Sequence, residues 1–217
     1  MRTILRSARA ALLVPLASVA LAAQSNAPLL GVRVDADRNK LLLEIPQAQL
    51  NKDLLHQTVL ATGAGVSTLG LDRGQVGGET VVRFERRGRR VLMVADNWMS
   101  RAPAADAAGQ RAASEAFPRA VLASFPIESE ADGRLTVDAT GFFLTDTYGV
   151  AESLRRAQQG NARVDAARSW FDDARTKAFP RNVEIHAVLT FNVDNPGGAL
   201  RRFAADGSAP VFELHHS

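Results

Sequence analysis

The chain has 217 residues, 46% of them hydrophobic, with 26 Lys+Arg against 23 Asp+Glu and no cysteine. The missing cysteine excludes disulfides, thiolate metal sites, a cysteine nucleophile and a lipid-modified cysteine anchor. A chain of this kind is held by its core alone, and its length suits one domain, or one domain with an appendage.

Residues 1–22 read as a secretory signal peptide. Arg2, Arg6 and Arg9 precede the apolar run Ala10 to Ala17, and Ala20-Leu21-Ala22 offers a small-x-small cleavage site. Cleavage is expected after Ala22, with Ala23 and Ala27 as alternatives. A transmembrane anchor fails on length, since a bilayer core takes about 20 apolar residues, and Pro15 and Ser18 interrupt the run. Export is therefore expected, to the periplasm or beyond the cell. Three of the 26 basic residues leave with this segment, so 23 remain against 23 acids. The mature chain is near neutral and gives no charge argument for nucleic acid as a partner.

Further along, Leu30 to Val34 and Leu41 to Ile45 flank the polar cluster Asp35 to Asn39, and predict a hairpin. Leu55 to Ala61 predicts a strand, followed by a glycine-dotted stretch to Gly78. Thr80 to Phe84 and Arg90 to Val94 predict a second hairpin around Gly88. Residues 103–109 read as an alanine-rich loop. Ala113, Ala116, Phe117, Ala120, Val121 and Ser124 recur at helical spacing, with a kink expected at Pro118. Arg134 to Ala139 and Phe142 to Thr145 read as strands. Thr147 is placed to cap a helix from Val150 to Gln159, ended by Gly160-Asn161. Val183, Ile185, Ala187, Leu189, Phe191 and Val193 alternate with Glu184, His186, Val188, Thr190 and Asn192. That period of two predicts a long half-buried strand, stopped by Asp194 to Gly198. The class is α+β: mainly antiparallel β-sheet with two helical inserts, after the signal peptide.

No local motif supplies chemistry. The four histidines, His56, His186, His215 and His216, form no H-E-x-x-H. His186 falls on the polar side of the long strand and reads as solvated. His215 and His216 are neighbours whose side chains take opposite faces of a strand, so they make poor joint ligands. Gly65-Val66-Ser67-Thr68-Leu69 has leucine where a nucleophile elbow needs glycine. Gly63-x-Gly65 lacks the third glycine of a dinucleotide loop, because Thr68 stands there. Asp172-Asp173 are adjacent acids of a polar surface. Arg86, Arg87, Arg89 and Arg90 resemble a phosphate cluster but lack interleaved aromatics, and read as a solvated turn that blunts a sheet edge. No catalytic, cofactor-binding or metal-ligating residue is assigned.

Several words carry a resemblance: Gly70-Leu71-Asp72-Arg73-Gly74-Gln75, Val81 to Arg86, Phe125-Pro126, Val137 to Thr140 with Phe142 to Leu144, Gly149-Val150-Ala151, Arg175 to Asn182, and Leu214 to Ser217. Over roughly Leu30 to Ser217 the chain resembles the N-terminal domain of unknown function of large exported bacterial zinc-dependent metallopeptidases. The resemblance implies that residues 23–217 are an accessory domain, with a truncated chain as one reading. It also implies a downstream peptidase domain as partner in cis, holding the zinc on an H-E-x-x-H absent here. The chain itself is expected to bind no cofactor and to be non-catalytic. A stand-alone cell-envelope binding module and an inhibitory propeptide are the alternative readings, with an unrecognised hydrolase last. The matched residues also have structural readings: turns at Gly70 and Gly74, an ion pair for Arg73, and a fixed approach to the long strand at Pro180.

Overall fold

The computed structural model describes residues 27–98 and 106–217, so the expected signal peptide lies outside the described residues. The first hairpin forms as predicted. Strands β1 (Gly31–Asp35) and β2 (Lys40–Pro46) pair antiparallel with Val32 opposite Leu43. Their turn closes because Asn39 takes the left-handed conformation, with φ 51°, which asparagine tolerates better than most residues. Strand β3 (Leu54–Leu60) follows, then the hairpin of β4 (Val76–Arg87) and β5 (Arg90–Ala95). Gly88, at φ 59°, supplies the turn. Pairing of β4 with β3 slips between Gln57 and Val59. Gly77 lies in that irregularity, where a Cβ would sit 2.8 Å from the Tyr148 ring.

The periodic stretch 113–124 is not one kinked helix. Helix α1 (Ala107–Ala116) starts earlier, capped by the Asp106 carboxylate, which accepts from Gly109 N at 2.8 Å. It therefore takes in part of the segment expected to be loop. The chain is extended at Phe117 (φ −123°, ψ 110°), because the residue before proline is steered out of the helical region. Strand β6 (Ala120–Ala131) then carries the rest of the pattern and pairs with β7 (Arg134–Asp138).

Phe142 to Thr145 is not a strand either. Thr140–Phe143 forms a short helix, α2, and the Asp138 carboxylate accepts from Thr140 N at 3.1 Å. Helix α3 (Val150–Arg156) stands where predicted, but Thr147 is not its cap. Asp146 does that work, accepting from Gly149 N, Val150 N and Ala151 N at 2.9, 2.9 and 2.8 Å. Three otherwise orphan donors depend on one carboxylate. Asp146→Ala is expected to cost about 1–2 kcal/mol of stability, read as a lowered thermal midpoint. An unchanged midpoint would show that solvent replaces the cap.

The remaining strands are β8 (Asn161–Val164), β9 (Trp170–Phe171), β10 (Lys177–Ala178) and β11 (Val183–Asp194). Helix α4 (Gly198–Phe203) precedes β12 (Val211–His216). The inserts α1 and α3 are thus joined by two short helices that hydrophobic spacing does not announce. The sheet runs β1-β2-β7-β6-β5-β4-β3-β12-β11-β10, with β8 and β9 added on β11, and every pairing is antiparallel. Its ends meet: Leu29, just before β1, donates its N–H to the carbonyl of Phe179, just after β10, at 3.0 Å. The sheet is rolled toward a barrel. Leu41, Leu43, Ile45, Leu60, Val91, Leu135, Leu189 and Leu214 are among the fully buried residues of its core. Alternation along each strand places one set of residues inside that roll.

The long strand departs from expectation on one point. Val188 and Thr190, on its outer side, are buried as well. Trp170 in β9 pairs beside Val188, and Thr190 Oγ1 donates to Arg168 O at 2.6 Å. The segment from Asp165 to Phe171 folds over that face, so β11 is covered on both sides at its middle.

Candidate functional site

The register between β3, β12 and β11 places the four histidines in two pairs. His215 lies directly opposite His186, and His216 lies opposite Thr58, two residues from His56. Adjacent residues of β12 take opposite faces, as expected, so His215 is outside the roll and His216 inside.

On the inner face, His56 Nε2 and His216 Nδ1 are 3.2 Å apart, with their rings stacked at 5.5 Å. Thr58 Oγ1 is 3.4 Å from the same His216 nitrogen. Helix α2 closes over the pair. The ring of Phe143 meets His216 edge-on at 4.9 Å, and Phe142 is tilted against His56 at 5.6 Å. His216 is buried and its Nε2 has no hydrogen-bond partner. Burial pushes the pKa of His216 well below its ordinary 6.5, helped by the neighbouring His56. Burial likewise lowers that of His56. Both imidazoles are neutral at pH 7, so one ring donates an N–H and the other accepts.

On the outer face, His215 Nδ1 is 2.7 Å from His186 Nε2, and His215 Nε2 contacts the Glu184 carboxylate. Beside them Arg175 bridges Asp172 and Glu213, at 2.6 Å to each. His186 is half-buried, where a solvated residue was expected. Its Nδ1 is buried without a partner, and burial together with His215 lowers its pKa. Carboxylate, imidazole and imidazole stand in line; in hydrolases a carboxylate behind an imidazole orients it as the general base for a hydroxyl. Here the line ends at the buried His186 Nδ1, with no hydroxyl hydrogen-bonded to it. Among the described residues no group of three or more His, Asp and Glu side chains is placed to hold a metal ion.

The inner pair forms part of the floor of a cavity of about 470 Å³ at the end of the roll. Its buried walls include Leu30, Leu43, Val82, Phe84, Met93 and Ile185. Asp53, Arg181, Asn182 and Ser217 supply polar lining at its exposed side. Asp53 is 3.3 Å from Arg83, which also binds Asp96. Arg181 is exposed and has no ion-pair partner among the described residues.

The other sequence motifs come apart. Arg86 is forked on Glu130 at 3.1 and 2.9 Å, Arg87 is on Glu85 at 2.8 Å, and Arg90 is on Ser124 at 2.6 Å. They are separate surface pairs and not a converging anion site. Ser67 opens a 3-10 turn and is hydrogen-bonded to none of the four histidines. Asp172 is committed to Arg175, which holds its carboxyl below the usual range. Gly70 and Gly74 do take positive φ, at 63° and 81°. Arg73 is exposed and unpaired among the described residues, so the ion pair expected for it does not form. Sequence reasoning missed both histidine pairs. Alternation assigns each histidine a face, but only strand register says which of them meet.

Compared with known proteins, residues 74–217 match the family described as Domain of unknown function (DUF5117). No curated protein and no solved structure matches the chain. No helix among the described residues is long and apolar enough to cross a membrane.

Proposed function

The chain belongs to the DUF5117 family of domains of unknown function, and on that premise we propose that it is a non-catalytic module of an exported zinc-dependent metallopeptidase. In this reading it packs on, and orients, a catalytic domain that carries the zinc. The resemblance of its sequence words to those peptidases motivates the reading. The observation that carries it is on the outer face of β3 and β4.

There, Leu55 stands opposite Val81, and Val59 opposite Val76. Leu55 is 62% exposed and Val76 50%. An antiparallel sheet with one wet face normally alternates to polar residues on that side. Two apolar cross-strand pairs left open suit a surface that another domain covers. Only Gln57 and Glu79 interrupt them, hydrogen-bonded to each other.

The test starts from the coding DNA beyond Ser217, where an open frame leading to H-E-x-x-H is expected. Hydrogen exchange on the longer product should then show β3 and β4 protected relative to residues 23–217 alone. A stop codon at Ser217 with no adjoining peptidase gene would overturn the module reading. So would equal exchange in the two forms.

A further inference from the structure

The cavity at the end of the roll needs its own account, because it does not depend on the peptidase reading. A small barrel either fills its interior with side chains or leaves room for one small ligand. Here about 470 Å³ is unfilled, within the range of small-molecule sites. The buried walls are mostly aliphatic and aromatic, and the space deepens from exposed Asp53 and Arg181 to buried Phe143 and His216.

The polar groups are unequally committed. Asp53, 3.3 Å from Arg83, shares that guanidinium with Asp96. Asn182 is hydrogen-bonded to Glu184. Arg181 alone among the charged side chains lining the cavity has no described counter-ion. A guanidinium with free donors takes a carboxylate through two parallel hydrogen bonds. At the other end, His56 Nε2 and His216 Nδ1 are paired and both rings are neutral, so the floor offers no charge for a ligand to meet, only the unpartnered His216 Nε2. An apolar interior with one cationic group beside its exposed residues matches a molecule with the reverse distribution.

We propose that this cavity binds a single-chain anionic amphiphile, with its aliphatic tail among Leu43, Val82, Phe84 and Ile185 and its carboxylate on Arg181. Binding is non-covalent and needs no metal. The chemistry is shared by a free fatty acid and by an acyl chain drawn from a membrane, and the probes below separate those sources.

Residues 23–217 are titrated with monomeric dodecanoate by calorimetry, and in parallel with dodecanol, dodecyltrimethylammonium and phosphatidylglycerol vesicles. The expected result is one dodecanoate per chain with a negative heat-capacity change, the mark of buried apolar surface. Dodecyltrimethylammonium should bind at least about tenfold more weakly, the effect of losing a charge-assisted pair. Val82→Trp, which fills the cavity, should abolish binding. Arg181→Gln, on the exposed side, should weaken dodecanoate by about tenfold and leave dodecanol unchanged. If Val82→Trp does not fold, Arg181→Gln decides alone. No binding of dodecanoate overturns the proposal. So does equal affinity for the anionic and cationic probes, or binding to vesicles without binding to monomer.

Discussion

Truncating Phe191 to alanine is expected to remove about 3–5 kcal/mol of unfolding free energy, the largest effect of any single substitution argued for this chain. Phe191 is fully buried in β11, and Phe212 of β12 meets it edge-on at 5.8 Å. β11 is the hub of this half of the sheet. It pairs with β12, β8, β9 and β10 along its length, so a void there loosens several pairings together. Deleting the ring removes its transfer free energy and leaves space that surrounding strands cannot close without breaking register. Urea unfolding of the two proteins at matched slope measures the difference. A loss under about 1 kcal/mol would mean that β11 tolerates collapse around position 191 and is not the hub described.

Much of this sheet is legible in the sequence because its strands obey one simple rule. From Val183 to Val193 every second residue is apolar, and the strand forms there with residues 183, 185, 187, 189, 191 and 193 all buried. The hairpin around Gly88 is readable for the same reason, with a glycine where the backbone needs positive φ. The errors have equally local causes. Apolar spacing cannot tell a helix from a strand across Pro118, because residues 113–124 straddle the end of one and the start of the other. Phe142-Phe143 looks like a buried strand, yet four residues are too few for periodicity to decide. At Thr147 the right residue type was one position away from the true cap, Asp146. The candidate site was least legible of all. His56 and His216 are 160 residues apart, and nothing in the local sequence of either marks the other as its partner.

That same pair gives the second large prediction. His216, and His56 beside it, have pKa values lowered by burial, so the folded chain holds fewer protons than the unfolded chain in mildly acidic solution. Above about pH 7.5 the histidines are neutral in both states and add no pH dependence. As pH falls through 6.5, the unfolded chain takes up protons that the fold refuses, and stability declines. Each refused proton costs about 1.4 kcal/mol per pH unit. His186, lowered mainly by burial, adds in the same direction but is more open to solvent. The paired carboxylates act elsewhere. Glu152, held down to about 2 by Arg155 and Arg156, contributes stability above its unfolded value near 4.5 that is lost only on further acidification. The window between pH 7.5 and 5 therefore reports the histidines. Denaturation at pH 8, 6.5 and 5 should show a plateau and then a fall. His216→Phe keeps an aromatic ring against Phe143 and removes both the titration and the unpartnered Nε2. It should flatten the acid limb by close to one proton and change stability at pH 8 little, since it trades the unpartnered His216 Nε2 for a His56 Nε2 left without its partner. A variant with an unchanged acid limb would show that His216 takes up its proton in the folded chain, and that the pair is wetter than its burial implies.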